Sequence, residues 1–588
     1  MSEQRKLEPL GRKGKPTKVE QAKQNSRHLR GTILEVLNNP QAGGFEHDDV
    51  QLLKFHGIYQ GEDRDARAAS KVTGIETDTW FMIRMKSPGG ILTADQYLAM
   101  DRIADEVTHN HSLRVTTRQN FQLHGVLKTS LKAAIKRARE VLLDSLCGCG
   151  DVERNVMASP APLSDAAHVS MRELTLKLSN ELCPRTNAYV EIWYDGEKVD
   201  TTQESEPLYQ DTYLPRKFKT AVALPDDNSV DLHSQDVGLL AIVKDGKLIG
   251  ANVLVGGGFG MTHKKEETLV RLGSELGFVP ADQLVHACRT IAAMFRDYGD
   301  RTDRKHARLK YVVQEYGMDA FREEFEQRIG FKVGRWVETS PLKHQDWLGK
   351  QEQGDGRFFY GVWVPNGRII DEPMRRYKTA FRQIVETLKA SVILTPNQNV
   401  LFGGLSEEDV VKLERIMDAY NLPRVTDMTA IRRHAMACVA LPTCSQALTE
   451  AERVFDVIVE QFERELEPLG LTGEEITIRI TGCPNGCARP YSADIGLVGH
   501  KPGHYDIYLG GRIEGDRLAE FYAENVPMAE LAAAIRPLLT LWAGERMSDE
   551  SFGDFYQRKF CGGQRRTLLT GSKNNPARER VEAALAAV

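Results

Sequence analysis

Apolar residues recur at helical spacing in a stretch that two cysteine pairs bracket. In "TEAERVFDVIVEQFERELEPLG", Val454, Phe455, Ile458, Phe462 and Leu466 share one face of a 3.6-residue repeat, which predicts an amphipathic helix. Thr449 reads as its N-cap and Gly470 as its stop. The next segment, "EITIRITG", alternates apolar and polar residues and predicts a strand. Loops rich in Pro and Gly flank both, so the order is loop, helix, strand, loop.

Such patterns return along the chain. "SPGGILTADQYLAM" (87–100) is echoed by "VPNGRIIDEPMRRY" (364–377), each with a Pro-x-Gly turn before an Ile-led strand. "RVTTRQNFQLHG" (114–125) is echoed by "ILTPNQNVLFGG" (393–404), and both hold T-x-x-Q-N, from Thr116 and Thr395. In the same order, "RNVMASPAPLSDA" (154–166) parallels "MACVALPTCSQAL" (436–448), "SQDVGLLAI" parallels "SADIGLVGH", and "VLVGGG" parallels "IYLGGR". Echoes that keep their order predict a duplicated α/β (α+β) unit with internal pseudo-twofold symmetry.

The copies differ where chemistry would sit. The second carries cysteines in "CVALPTC" and "TGCPNGC"; the first carries Arg154 in "VERNVM" and Arg216, Lys217 and Lys219 in "LPRKFKTAV". Lys217 and Lys219, at i and i+2, share one strand face. An ordinary solvated strand would show the same spacing.

Composition narrows the class. The 588 residues exceed one core and imply several domains. With 27% charged and 41% apolar residues the balance is that of a soluble globular protein. A net charge of −5 gives no reason to expect nucleic acid, and no apolar run is long enough for a membrane span. The polar, basic "MSEQRKLEPLGRKGKPTKVEQAKQ" reads as a mobile arm without a signal core. Nine cysteines without a signal indicate a reducing, cytoplasmic setting in which thiols ligate metal or lie buried.

Cys438, Cys444, Cys483 and Cys487 cluster within fifty residues as C-x5-C and C-x3-C. A structural zinc takes four thiolates, commonly from C-x2-4-C pairs, which one spacing satisfies and the other does not. A [4Fe–4S] cubane also takes four but needs them at the corners of a wider body. The uneven spacings with Pro442, Pro484 and Gly486 suit the cubane better, and both readings stand at this point. "GGGFG" (256–260) has neither the strand-to-helix setting nor the downstream acidic residue of a dinucleotide site.

"LLKFHGIYQGEDRDAR", "RVTTRQNFQLHG", "TYLPRKFKT", "GDRTDRKHARLKY", "ACVALPTC", "TGCPNGCARP" and "SFGDF" together resemble the sirohaem sulfite and nitrite reductases. Within them the likeness is to the haemoprotein (beta) subunits of assimilatory NADPH-dependent sulfite reductases, and it covers nearly the whole chain. It implies that Cys438, Cys444, Cys483 and Cys487 ligate a [4Fe–4S] cluster, with Cys487 also axial to the sirohaem iron. It implies that Arg84, Arg154, Lys217 and Lys219 hold sulfite, and that Arg114, Arg118, Gln122, His124, Asn397, Gln398 and Asn399 frame the macrocycle. Arg301, Arg304, Lys305, Arg512 and Lys54 are further expected contacts, whereas His56 and His124 would serve equally as core histidines.

The implied partner is an NADPH-oxidising flavoprotein (alpha) subunit with FAD and FMN. A ferredoxin-dependent sulfite or nitrite reductase, or from another class a zinc-stabilised binding protein, are the alternatives. The expected organisation is an arm (1–70, partly disordered), ferredoxin-like halves (71–146 and 335–425), a cationic lobe (147–334) and a cluster-bearing lobe (426–588).

Overall fold

A computed structural model describes residues 7–11, 14–186, 192–195, 197–199, 206–571, 573 and 577–586. Residues 1–6, 12 and 13, on which part of the expected disorder of the arm rests, lie outside the described residues.

The first pair of repeats forms two five-stranded sheets. One runs in the order Ile58–Gly61, Trp80–Arg84, Phe121–Leu127, Leu113–Val115, Arg368–Ile369. The other runs Gly349–Glu352, Phe358–Val362, Val400–Leu405, Ser391–Leu394, Ile91–Leu92. The last strand of each comes from the opposite copy: Arg368 pairs with Arg114, and Ile91 with Ile393. The Pro-x-Gly echoes are therefore the points at which the two copies exchange strands. Four helices, Ala94–Val107, Lys128–Glu140, Tyr377–Leu388 and Glu407–Ala419, pack with both sheets in one core that joins Phe121 and Ile103 to Phe381 and Phe402. Each such side chain contributes about 1.5–3 kcal/mol on burial, so the halves stabilise one another.

The second pair of repeats builds two lobes of identical strand order. The first has Met157–Ala158, Thr220–Ala223, Val237–Lys244, Lys247–Val255 and Ser274–Pro280; the second has Met436–Ala437, Ile478–Thr481, Ile495–Lys501, His504–Leu509 and Glu520–Pro527. In each, the first three strands are parallel and the last two antiparallel. Leu269–Arg271 pairs with Leu568–Thr570, tying the lobes together. Among the described residues no helix is long and apolar enough to cross a membrane.

The expected helix is present as Phe455–Leu466, with Gly470 ending it at φ +69°. Its start differs. The chain enters through a 3-10 turn, Glu452–Val454, and Thr449 is not the cap. Its hydroxyl instead accepts from Gly503 N at 2.9 Å, while its own N–H donates to Gly482 O. A contact between the cysteine loops has taken the residue that local pattern assigned to the helix. The strand Ile478–Thr481 is buried along its whole length. Its polar side faces the other lobe, where the fully buried Asp231 accepts from Arg479 at 3.2 Å and from Arg489 at 2.7 Å.

The arm is also packed rather than mobile over its described part. Leu7 is buried, and Leu10 N donates to Tyr298 O at 2.9 Å. Helix Lys18–Gln24 buries Lys23, whose Nζ lies 2.6 Å from Glu20 and 3.7 Å from Asp151. Farther on, Arg64 donates to Ala447 O at 2.7 Å, beside the first cysteine loop. A basic arm becomes ordered here because buried carboxylates receive its charge.

Candidate functional site

Met436–Ala437 and Ile478–Thr481 pair in parallel, so Cys438 and Cys483 leave the sheet at the same end. The two loops touch through Gly482, whose N–H donates to Cys438 Sγ at 3.3 Å and whose carbonyl accepts from Leu448 N at 2.7 Å. A Cβ there would lie 2.6 Å from Ala440 Cβ, so only glycine permits the approach. Gly486 has φ +63°, and a Cβ on it would stand 2.8 Å from Tyr491 Cε2. The bendable "TGCPNGC" lets two loops share a small volume.

Burial, and then the neighbouring thiols, push Cys438 up and Cys483 to about 12. Thiols so placed become ligands when a cation takes their proton's place. Among the described residues, the trio of metal-binding side chains whose donor atoms all lie within 4.8 Å of one another is His500, Asp506 and Glu524, and Lys573 Nζ already sits 2.9 Å from Asp506. The four thiols are spread more widely, as the corners of a cubane require and a single zinc with Zn–S of about 2.3 Å does not.

Of the four, Cys487 is exposed. Its carbonyl accepts from Thr117 Oγ1 at 3.0 Å, which brings the first T-x-x-Q-N loop to the cluster. The glycine run also belongs here. Met261 N donates to Pro484 O at 3.0 Å, and Lys310 Nζ holds Gly260 O at 2.8 Å. "GGGFG" is a close-approach loop against "CPNGC".

Arg84, Arg154, Lys217 and Lys219 converge on the same region. Arg84 Nη1 donates to Cys149 Sγ at 3.1 Å, and Arg154 Nε to Gly150 O at 3.0 Å, two residues of one loop. Tyr59 lies among Cys149, Arg154 and Arg84. Lys217 is brought down to about 7 by burial, then by Arg308, Arg216 and Arg154, while Cys487 partly offsets them. Burial, then Lys217 and Arg118, hold Lys219 well below the usual lysine range. Neither lysine's ammonium group has a hydrogen-bond or ion-pair partner among the described residues. Arg118, whose buried Nε has no partner, accompanies Lys219. Unpaired cations and donors beside an exposed thiol fit a polycarboxylate macrocycle and a small oxyanion.

The other expected contacts separate into groups. Arg114 donates to Glu452 at 2.9 Å and to Ala437 O at 3.1 Å, bracing the first cysteine loop. Arg118 donates to Gln235 Oε1 at 2.8 Å and Thr220 O at 3.1 Å, beside the lysines. Gln122 pairs with both Arg84 and Arg114 across the sheet. His124 Nδ1 lies 3.3 Å from Arg368, and burial, then Arg368, hold it neutral. Asn397 contacts His344 Nε2 at 3.1 Å.

Gln398 and Asn399 are committed to their own turn, the first donating to Asn366 O at 3.0 Å and the second accepting from Val364 N at 3.0 Å. Lys54 and Arg304 line a small cavity with Arg154, Arg216 and Tyr59. Arg301 is tied to Glu20 and to the Tyr213 carbonyl, Lys305 is exposed, and Arg512 lies among Glu514, Asp516 and Asp554, so these three are not brought to the lysines. His56 is a core histidine bonded to Leu29 O at 2.7 Å. Sequence reasoning passed over Arg308, which is paired with buried Asp236 at 2.7 Å and faces both lysines. It also passed over Thr117, Tyr59 and Cys149. For Thr117 there was a signal: it is one of the positions at which the two T-x-x-Q-N copies differ.

Comparison with known proteins decides the family. Residues 175–333 and 429–552 match the nitrite and sulphite reductase 4Fe-4S domain, and 74–141 and 349–420 the nitrite/sulfite reductase ferredoxin-like half domain. The chain belongs to the nitrite and sulfite reductase family. It is 44% identical to the Staphylococcus haemolyticus sulfite reductase [NADPH] hemoprotein beta-component, over 93% of this chain and 96% of that one. The Geobacillus kaustophilus protein of the same name is 43% identical over 94% and 97%. The solved Mycobacterium tuberculosis NirA shares the fold, with a TM-score of 0.75 at 23% identity over 93% of this chain and 97% of NirA. As an enzyme of this family the chain uses sirohaem and a [4Fe–4S] cluster, which the thiol set and the cationic pocket fit.

Proposed function

We propose that this chain catalyses the six-electron reduction of sulfite to sulfide, with electrons from an NADPH-oxidising flavoprotein subunit carrying FAD and FMN, and that the sulfide serves cysteine biosynthesis in the cytoplasm. The observation that carries the reading is the pair of half-buried lysines whose side chains have no partner among the described residues: Lys217, within reach of Arg154 and Cys487, and Lys219 beside it. The names of the relatives at 43–44% identity support both the substrate and the division into components, and nine free thiols suit a reducing compartment.

Cys438, Cys444, Cys483 and Cys487 would hold the cluster, with Cys487 shared by the sirohaem iron. When bound, the two groups would supply an iron that takes the substrate's sulfur and a store of electrons. Arg114, Arg118, Gln122, His124 and Asn397 would face the macrocycle.

The remaining work falls to the pocket. Sulfite is a strongly hydrated dianion, and burying it costs several kcal/mol unless donors replace the lost water. Arg84 and Arg154 offer planar, permanently charged forks for its oxygens. Lys217, brought down to about 7, can carry charge and also release a proton readily, and Lys219, held well below the usual lysine range by burial and by Lys217, gives up its proton more easily still. Each departing oxygen needs two protons to leave as water. As charge builds on the oxygens the same cations bind more strongly, which favours the reacting state.

Turnover of the purified holoprotein with sulfite and with nitrite, using a chemical reductant, tests the proposal. A higher kcat/KM for sulfite is expected. A far higher value for nitrite would replace the substrate, and a colourless protein without iron or labile sulfide would end the proposal.

A further inference from the structure

Cys147 and Cys183 take no part in the cluster, yet they meet. Their Sγ atoms are 3.0 Å apart, although Cys147 follows the helix Lys128–Glu140 and Cys183 follows the helix Ala166–Glu181. Cys147 is buried at φ +67°, a conformation cysteine rarely adopts, and its N–H donates to Phe55 O at 3.1 Å. Cys183 is half-buried, which makes it the more accessible of the two residues. Lys86 Nζ donates to Ser179 O at 3.1 Å and reaches the Cys183 sulfur. The arrangement is an outer sulfur beside an ammonium with an inner sulfur directly behind it.

We propose that Cys183 and Cys147 form a reversible redox-modification site, closed to a disulfide by a small disulfide of the glutathione type and reopened by thiols. The Cys183 thiolate attacks one sulfur of the oxidant, breaking its S–S bond and releasing a thiolate that takes up a proton. Cys147 then attacks Cys183 Sγ, breaking the mixed disulfide, and its proton passes to the departing small thiolate. Two protein thiols are oxidised and one small disulfide becomes two thiols, so electrons and atoms balance. The sulfurs need only close from 3.0 Å to about 2.05 Å. The sulfur contact with Cys147, ahead of the Lys86 ammonium, lowers the pKa of the Cys183 thiol, which favours its nucleophilic thiolate.

Closure would act on the anion pocket, a consequence that rests on the proposed function. A Cβ on Gly148 would lie 2.3 Å from Arg84 O, so this loop has no slack. Cys149 then holds Arg84, and Gly150 holds Arg154.

The test treats the holoprotein with oxidised glutathione, blocks free thiols with N-ethylmaleimide and reads the peptides by mass spectrometry. A linked Cys147–Cys183 peptide pair is expected, reversed by dithiothreitol and absent from Cys183→Ser, which keeps its basal turnover. In Lys86→Met closure is expected to slow roughly fivefold to tenfold. Closure of wild-type protein should raise the KM for sulfite several-fold. The proposal is overturned if both thiols stay free at every oxidant concentration the folded protein tolerates, or if Cys183 stops at the glutathione adduct. Because mass reports the thiols directly, this failure is distinct from a failure to reduce sulfite.

Discussion

The two lobes fold the same strands in the same order and carry their functional residues at opposite strand ends. In the first, Arg154 precedes Met157–Ala158 and Lys217 and Lys219 precede Thr220–Ala223. In the second, Cys438 follows Met436–Ala437 and Cys483 follows Ile478–Thr481. Ligands of open α/β sheets usually gather beyond the carboxyl ends of the strands, and the cluster lobe obeys that rule while the cationic lobe inverts it. The ends nonetheless meet, since Cys487 stabilises the charge on Lys217. Duplication thus supplied two copies of one frame, with thiols at the strand ends of one and cations at the opposite strand ends of the other, and in the function proposed above the first ligates metal while the second grips the anion.

The sharpest way to break this comparison is to remove the group at the meeting point. Cys487→Ser is expected to lose the coupled haem and cluster spectrum and all measurable turnover, read by absorption and iron analysis. Retention of full sulfide production would separate the lobes functionally. Next, Asp231→Asn takes the carboxylate from the buried cross-lobe pair of arginines. It should cost about 3–5 kcal/mol, measured by denaturant unfolding, and an unchanged midpoint would mean that the lobes dock without it.

On the cationic side alone, Lys217→Met is expected to lower kcat for sulfite by about 10²–10³ with the cofactor spectrum intact. The charge on Lys217 is present below about pH 7 and lost above it, so KM for sulfite should rise as pH increases through neutrality. Lys217→Arg, charged throughout, should move that limb to higher pH. A flat wild-type profile would remove Lys217 from anion binding. The smallest effect is expected on the cluster side, where Gly486→Ala places a Cβ at φ +63° and should cost about 1–2 kcal/mol, visible as a lower Tm.

The half-domains show why part of the site could be read from the sequence and part could not. Both T-x-x-Q-N loops close in the same way, Thr116 N donating to Asn120 O and Thr395 N to Asn399 O. In both, the glutamine, Gln119 or Gln398, has positive φ and a buried amide bonded to neighbouring carbonyls. The shared letters are scaffold. The letters that differ reach outward: Thr117 donates to the Cys487 carbonyl and Arg118 lies beside Lys219, whereas the Pro396 carbonyl accepts from Arg489 and Asn397 contacts His344. Gln398 and Asn399 drew attention because they repeat, and repetition here marks a turn. Thr449 carries a similar lesson: capping preference is worth about 1 kcal/mol, and one tertiary contact displaced it.

The sequence by itself determined the duplication, the helix and strand between the cysteine loops, and the set of four thiols, because periodicity and spacing are local and survive without coordinates. Only the tertiary structure decided which strands change partner between the copies, that the arm is packed, and that Lys217 lies within reach of both Arg308 and Cys487 of the other lobe. Those outcomes depend on burial and on charges far apart in the chain, and neither quantity exists until the chain has folded.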